Sequence, residues 1–130
     1  MLNDKNNPNI NALAGVRILD FTQIIAGPLC TRLLADLGAE VIKVERPRQG
    51  DGGRYLPALR NGVSGLFMQY NVGKKGLCLD LKKPDAIRII KELVGQCDVI
   101  VENYIPGTMT RMGLSYDVLK DLNPGLVMCS

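Results

Sequence analysis

From residue 13 onward, short apolar runs alternate with longer stretches whose apolar residues recur at helical spacing. Residues 16–21 (VRILDF) form a mostly apolar run of strand length, as expected of a strand buried on both faces of a parallel sheet. Gly27-Pro28 then opens a helix, since proline in the first turn lacks an N–H that has no intrahelical partner there. Leu29, Leu33, Leu34 and Leu37 form its expected buried stripe, Arg32 and Asp36 an exposed i, i+4 pair, and Gly38 the helix-ending glycine. A second strand follows over 40–45. Residues 46–62 are rich in Gly, Pro and Arg and carry no period, so they read as a loop, and structureless loops of such length are often functional. Residues 64–72 read ambiguously, a short helix being one solution. A third strand spans 76–81, with Leu77, Leu79 and Leu81 alternating. Pro84 starts a helix with Ala86, Ile89, Ile90, Leu93 and Val94 on one face and Asp85, Arg88, Lys91 and Glu92 toward solvent. Residues 98–102 (DVIVE) are a fourth strand. One or two helical turns over 106–112 end at Gly113, a further turn capped by Ser115 runs to Leu122, and a fifth strand occupies 126–129.

Strands alternating with helices imply parallel βαβ units. The expected fold class is therefore α/β, a Rossmann-like parallel sheet with helices on both faces. Residues 1–12, polar and Asn-rich, read as a flexible leader. Residues 13–130 read as the N-terminal portion of a larger domain, because the chain stops inside its fifth strand.

Composition narrows the chemistry. An apolar fraction of 46% suffices for a packed core, and a net charge of +3 is only mildly basic. Without a single-sign stripe, and with two Phe, four Tyr and no Trp, the chain lacks what nucleic-acid binding demands. It contains no histidine, which removes Ser-His-Asp and Cys-His nucleophile systems and His-ligated metal sites within these residues. Cys30, Cys78, Cys97 and Cys129 form no CxxC pair, and three of them fall in predicted strands or a helix, where a thiol acts as a small hydrophobe. No secretory signal pattern and no run of membrane-spanning length is present, so the expected compartment is the cytoplasm, with no membrane partner.

In an open parallel sheet, ligands gather at the carboxyl ends of the strands. Residues 23–28, 45–54 and 102–107 fall there. Glu45 stands at the spacing of a ribose-binding carboxylate, but the first turn offers Ala26-Gly27-Pro28 in place of GxGxxG, which argues against a nicotinamide dinucleotide. A solvated strand end is the plainer reading of Glu45. Arg46, with Arg48 and Arg54 nearby, presents a planar cation that can stack on adenine or pair with phosphate; a solvated basic loop is the alternative. The Gly50-Asp51-Gly52-Gly53 stretch reads as a flexible turn. In Glu102-Asn103-Tyr104-Ile105-Pro106-Gly107, the asparagine can bond a base edge and the tyrosine can pack on a ring. The residues alone therefore point to an adenine-nucleotide-like ligand.

Five motifs then carry a resemblance: VRILD at 16–20, AGP at 26–28, LGAEVIKVE at 37–45, LDLK at 79–82 and VENYIPG at 101–107. In this order they resemble the family III CoA-transferases, a group that includes formyl-CoA transferase, carnitine CoA-transferase and the α-methylacyl-CoA racemases. The resemblance implies coenzyme A, met as the substrate acyl-CoA, with no permanently bound cofactor and no metal. It also implies that Ile25 and Ala26 contact CoA from the first turn and that Arg46 meets its adenine or phosphate end. Leu79, Asp80, Leu81 and Lys82 would line the next edge, and Asn103, Tyr104, Ile105 and Arg111 would close the site. Gln23 stands where formyl-CoA transferase has a histidine.

In that family an aspartate forms mixed anhydrides with the acyl groups, which is covalent carboxylate catalysis. It lies several dozen residues beyond the point matching Ser130, and none of Asp20, Asp36, Asp51, Asp80 or Asp98 matches it. No catalytic residue is therefore expected in this chain. The leading expectation is a CoA-transferase that passes CoA from an acyl-CoA to a carboxylic acid, working as an interlocked homodimer. An α-methylacyl-CoA racemase and a non-catalytic nucleotide-binding module are the alternatives.

Overall fold

The computed structural model describes residues 11–57 and 59–130. Most of the expected leader, residues 1–10, lies outside the described residues. Five strands, β1 (Arg17–Asp20), β2 (Glu40–Glu45), β5 (Lys75–Cys78), β6 (Val99–Val101) and β7 (Val127–Cys129), make one sheet in the order β5-β2-β1-β6-β7. Every pairing in it is parallel, with Ile18 opposite Val41 on one side and Val99 on the other. The order reverses between β1 and β6, because the chain builds outward from β1 to β5 and then returns to build the other half.

Alternation along the strands supplies both faces of the sheet. Leu19, Val44 and Ile100 pack with Ile90 and Val94 of α3 (Pro84–Val94) and Leu119 of α5 (Tyr116–Leu122). Ile18, Val41 and Val101 face the other way, against Leu34 and Ala35 of α1 (Ala26–Asp36). α2 (Gly65–Asn71) packs beside α1. Helices thus cover both faces, as the pattern predicts.

Several local expectations need correction. β5 starts one residue earlier than expected and ends at Cys78, so Leu79 and Leu81 lie past the strand, although the Leu79 amide still donates to the Glu45 carbonyl at 2.9 Å. The loop after β2 is not featureless. It holds a 3-10 turn at Gly52–Tyr55 and a small antiparallel ribbon of β3 (Leu59–Arg60) with β4 (Val63–Ser64). Ser64 caps α2 by accepting from the Phe67 amide at 3.2 Å, which resolves the ambiguity at 64–72 in favour of a helix. Ser115 occupies the N-cap position of α5, but its side chain makes no capping bond. The turns over 106–112 condense into α4 (Thr108–Arg111). Of the four free cysteines only Cys97 is buried, its thiol pushed up to about 11 by that burial.

The stripe of α1 is the largest departure. Leu33 and Leu37 are 54% and 42% exposed, while Pro28 and Thr31 are buried. Asp20, fully buried at the end of β1, requires hydrogen-bond donors, and Thr31 Oγ1 supplies one at 2.7 Å. Gly27 lets the helix close on the strand end, since a Cβ there would fall 2.4 Å from Thr22 Cβ. A polar demand at the strand end therefore sets the rotation of the helix about its axis, and the leucines turn outward.

Candidate functional site

The reversal between β1 and β6 places two loops side by side at the carboxyl edge of the sheet. Asn103 clasps them: its Oδ1 accepts from the Gln23 amide at 2.8 Å and its Nδ2 donates to the Gln23 carbonyl at 2.9 Å. Both polar groups of the Asn103 side chain are thereby engaged with the Gln23 backbone, which gives it a structural role. Asn103 is a fastener between the two halves of the sheet.

Beside this clasp opens a cavity of about 670 Å³. Arg46, Leu79, Asp80, Leu81, Lys82, Tyr104 and Arg111 all line it, as do Lys83, Ile87 and Thr108, which the sequence reading missed. Ile25, Ala26, Asn103 and Ile105 instead line an adjoining, shallower depression, and Gln23 and Tyr104 border both. Every residue expected at the site thus sits on one of two neighbouring hollows. Tyr104 is half-buried, and burial pushes its hydroxyl above the ordinary phenol range despite the opposing effect of Gln23.

The charges around the larger cavity are unequally matched. Glu45 is taken up by Arg54, at 2.7 and 2.8 Å, and by the Asp51 amide at 2.8 Å. Burial raises the Glu45 carboxyl, but these donors hold it below the ordinary value. Glu45 is neither a ribose ligand in waiting nor a solvated strand end; it anchors the loop. Arg54 lies 3.9 Å over the Phe67 ring and Arg48 does not line the cavity, so of the basic loop only Arg46 faces it. Arg46 Nε donates to the Gly50 carbonyl at 3.1 Å, leaving the outer guanidinium nitrogens without a protein acceptor among the described residues. Lys82, Lys83 and Arg111 likewise have no carboxylate partner among the described residues, and Arg111 donates only to Thr108 Oγ1, at 2.8 Å. Asp80 is the remaining unpaired carboxylate lining the cavity, and its Oδ1 already accepts the Lys82 amide. The start of α3, at Lys83 and Pro84, borders the same space, where the positive end of a helix favours an anion. Val44, Leu79, Leu81, Ile87 and Met112 supply apolar wall. The arrangement suits a ligand with an anionic end and a flat or aliphatic body.

Two ion pairs are buried near the carboxyl ends of β1 and β2. Lys74 Nζ lies 2.9 Å from Asp20 Oδ2 and also reaches the Pro28 carbonyl and Asn71. Burial lowers the affinity of Lys74 for its proton, and Asp20 partly restores it. Lys43 Nζ lies 2.9 Å from Asp51 Oδ2 and donates to the Thr22 carbonyl at 2.7 Å. The Gly50–Gly53 stretch is accordingly no flexible turn, because Asp51 is 1% exposed and caps the 3-10 turn through the Gly53 amide. A signal for this was present: Lys43 stands inside the apolar run Val41-Ile42-Lys43-Val44, and a lysine within a doubly covered strand requires a partner.

Known proteins share this framework. The profile described as CoA-transferase family III matches residues 13–130. Human succinyl-CoA:glutarate CoA-transferase is 46% identical over 123 residues, covering 94% of this chain and 28% of the relative. Formyl-CoA:oxalate CoA-transferase of Afipia carboxidovorans is 47% identical over 120 residues, covering 92% of this chain and 28% of its own length. Among solved structures, a CaiB/BaiF family protein from Brucella suis superposes with a TM-score of 0.85 at 35% identity, over 92% of this chain and 33% of that one. The chain thus spans between a quarter and a third of the length of these relatives.

Proposed function

This chain belongs to CoA-transferase family III, and we propose that it builds the coenzyme A-binding part of an enzyme that moves CoA from an acyl-CoA to a carboxylic acid. The observation that carries the proposal is the imbalance of the larger cavity, where Arg46, Lys82, Lys83 and Arg111 converge with only Asp80 unpaired against them. The phosphates of CoA would meet these cations and the start of α3, while the adenine and the aliphatic arm would lie on the apolar wall. Ile25 and Ala26, on the adjoining hollow at the β1–β6 junction, would contact the arm nearer its thiol end. Relatives named for succinyl-CoA:glutarate and formyl-CoA:oxalate exchange support transfer over racemisation and point to short dicarboxylate or formyl partners.

In the proposed reaction a carboxylate oxygen attacks the thioester carbonyl, the C–S bond breaks, and CoA leaves as its thiolate, with a mixed anhydride left on the enzyme. Aspartates of this chain are poorly disposed to act as that nucleophile. Asp20 and Asp51 are buried and ion-paired, Asp36 pairs with Arg32 on the outside of α1, and Asp98 accepts from the Arg17 amide at the opposite end of the sheet; Asp80 alone lines the cavity unpaired, and it does not match the family nucleophile. The family resemblance, rather than geometry, assigns the nucleophile to an aspartate beyond residue 130. An interlocked homodimer of the complete protein is part of the same proposal, and the outward Leu33 and Leu37 leave apolar surface on this part for assembly. Calorimetry of CoA with the complete protein tests the reading. Binding should be measurable and should weaken as ionic strength rises, because exposed cations are screened; salt-independent binding, or none, would sink it.

A further inference from the structure

The β1–α1 turn is held in a conformation its sequence does not favour. Ile24 has φ +74°, a region that a β-branched residue avoids, and its side chain is 41% exposed, so packing does not account for it. What holds it is one carboxylate. Asp51 Oδ1 accepts the Ile24 amide at 2.9 Å and the Gly53 amide at 2.8 Å, while Oδ2 faces Lys43, whose Nζ in turn bonds the Thr22 carbonyl. The two glycines after Asp51 make room for this: a Cβ on Gly52 would fall 2.7 Å from Ile24 Cδ1, and one on Gly53 would fall 3.2 Å from the Ile24 carbonyl. The neighbours of Ile24 on either side, Gln23 and Ile25, line the shallower hollow, and Thr22, Gln23 and Asp51 line the larger one.

We propose that Asp51, tied down by Lys43, is a positioning residue that sets the strained β1–α1 turn and thereby shapes the junction of the two hollows for CoA. The proposal rests on the coenzyme A reading for its ligand, but the lock itself does not.

Two double variants of the complete protein separate the parts. Lys43→Met with Asp51→Asn removes the ion pair and keeps a side-chain acceptor for the Ile24 and Gly53 amides. Lys43→Met with Asp51→Leu removes the acceptor as well, and leaves no unpaired buried charge that would prevent folding. Hydrogen exchange at the Ile24 amide and CoA binding by calorimetry are read on both, after a cooperative melt confirms the fold. The Asn variant should keep Ile24 better protected, and bind CoA more tightly, than the Leu variant does. The Leu variant should exchange at Ile24 about tenfold faster or more and lose about tenfold in CoA affinity, the scale of a lost hydrogen bond to a carboxylate. Unchanged Ile24 exchange in the Leu variant overturns the lock. Faster exchange with unchanged CoA affinity overturns the positioning role and leaves a purely structural one. Absence of CoA binding in the parent refutes the coenzyme A reading, and with it the positioning role, while the Ile24 exchange still decides the lock.

Discussion

Arg46 and Asp51 sit six positions or fewer from the same strand end and do opposite things. Arg46 leaves β2 and offers its outer nitrogens to the cavity, so Arg46→Ala in the complete protein should weaken CoA binding by about 1–3 kcal/mol, the range of charge-assisted hydrogen bonds. Arg46→Lys should recover little of it, since an ammonium cannot reproduce the planar fork; equal affinities by calorimetry for all three proteins would return Arg46 to the class of solvated loop charges. Asp51 turns inward. Burial would raise its carboxyl, yet the Gly53 and Ile24 amides and Lys43 hold it below the ordinary carboxylate value. A carboxyl lowered on folding stabilises the fold above its unfolded pKa and loses that contribution as pH falls through the folded value. The stability gap between the parent and Asp51→Asn should therefore be widest near neutrality and close as acid takes the pH below about 4, the usual aspartate range. Urea titrations across that range give the answer, and a gap that widened in acid would contradict the assigned direction.

At the scale of elements, the contact between β1 and α1 carries the main lesson. Helical periodicity nominated Leu29, Leu33, Leu34 and Leu37 as the buried stripe, but the helix is seated by Gly27, Pro28 and Thr31 around the Asp20 carboxylate. Gly27→Ala is thus expected to behave unlike an ordinary glycine replacement in a helix, where alanine is favoured by about 1 kcal/mol. Its Cβ would meet the Thr22 side chain, which is 1% exposed and bonded to Asp20, so the residue that must give way has nowhere to move. A net loss of about 1–3 kcal/mol in chemical unfolding, the usual cost of overpacking, is the expected outcome. A more stable Gly27→Ala protein would show that α1 can slide outward without penalty.

For the whole molecule, the division of labour proposed above makes a chemical prediction. On that proposal the described residues supply cations and apolar wall for CoA, but neither an aspartate aligned with the family nucleophile nor a closed chamber to keep water from an anhydride. Residues 1–130 alone, incubated with an acyl-CoA and an acceptor acid, should give no CoA exchange and no covalent adduct by mass spectrometry. The complete protein should carry an adduct on an aspartate beyond Ser130. Labelling of Asp20, Asp51 or Asp80 would reassign the nucleophile to this part of the chain.

What could be read without coordinates was strand and helix alternation, the parallel sheet, the segments that end up at its carboxyl edge, and a set of candidate site residues that all lie on the two hollows. The first three follow from the period of apolar residues and from turn chemistry, which act over a few neighbours; the candidate residues come from the family resemblance. Tertiary structure decided which polar groups meet. Lys43 and Asp51, Asp20 with Lys74, and Asn103 with Gln23 are paired across separations that no local pattern encodes. Because a buried charge or amide must find a partner wherever the chain brings one, those encounters override apolar periodicity: they turned Leu33 and Leu37 to the outside, made a glycine-rich stretch rigid, and left Arg46 facing the cavity while Arg54 was drawn to Glu45.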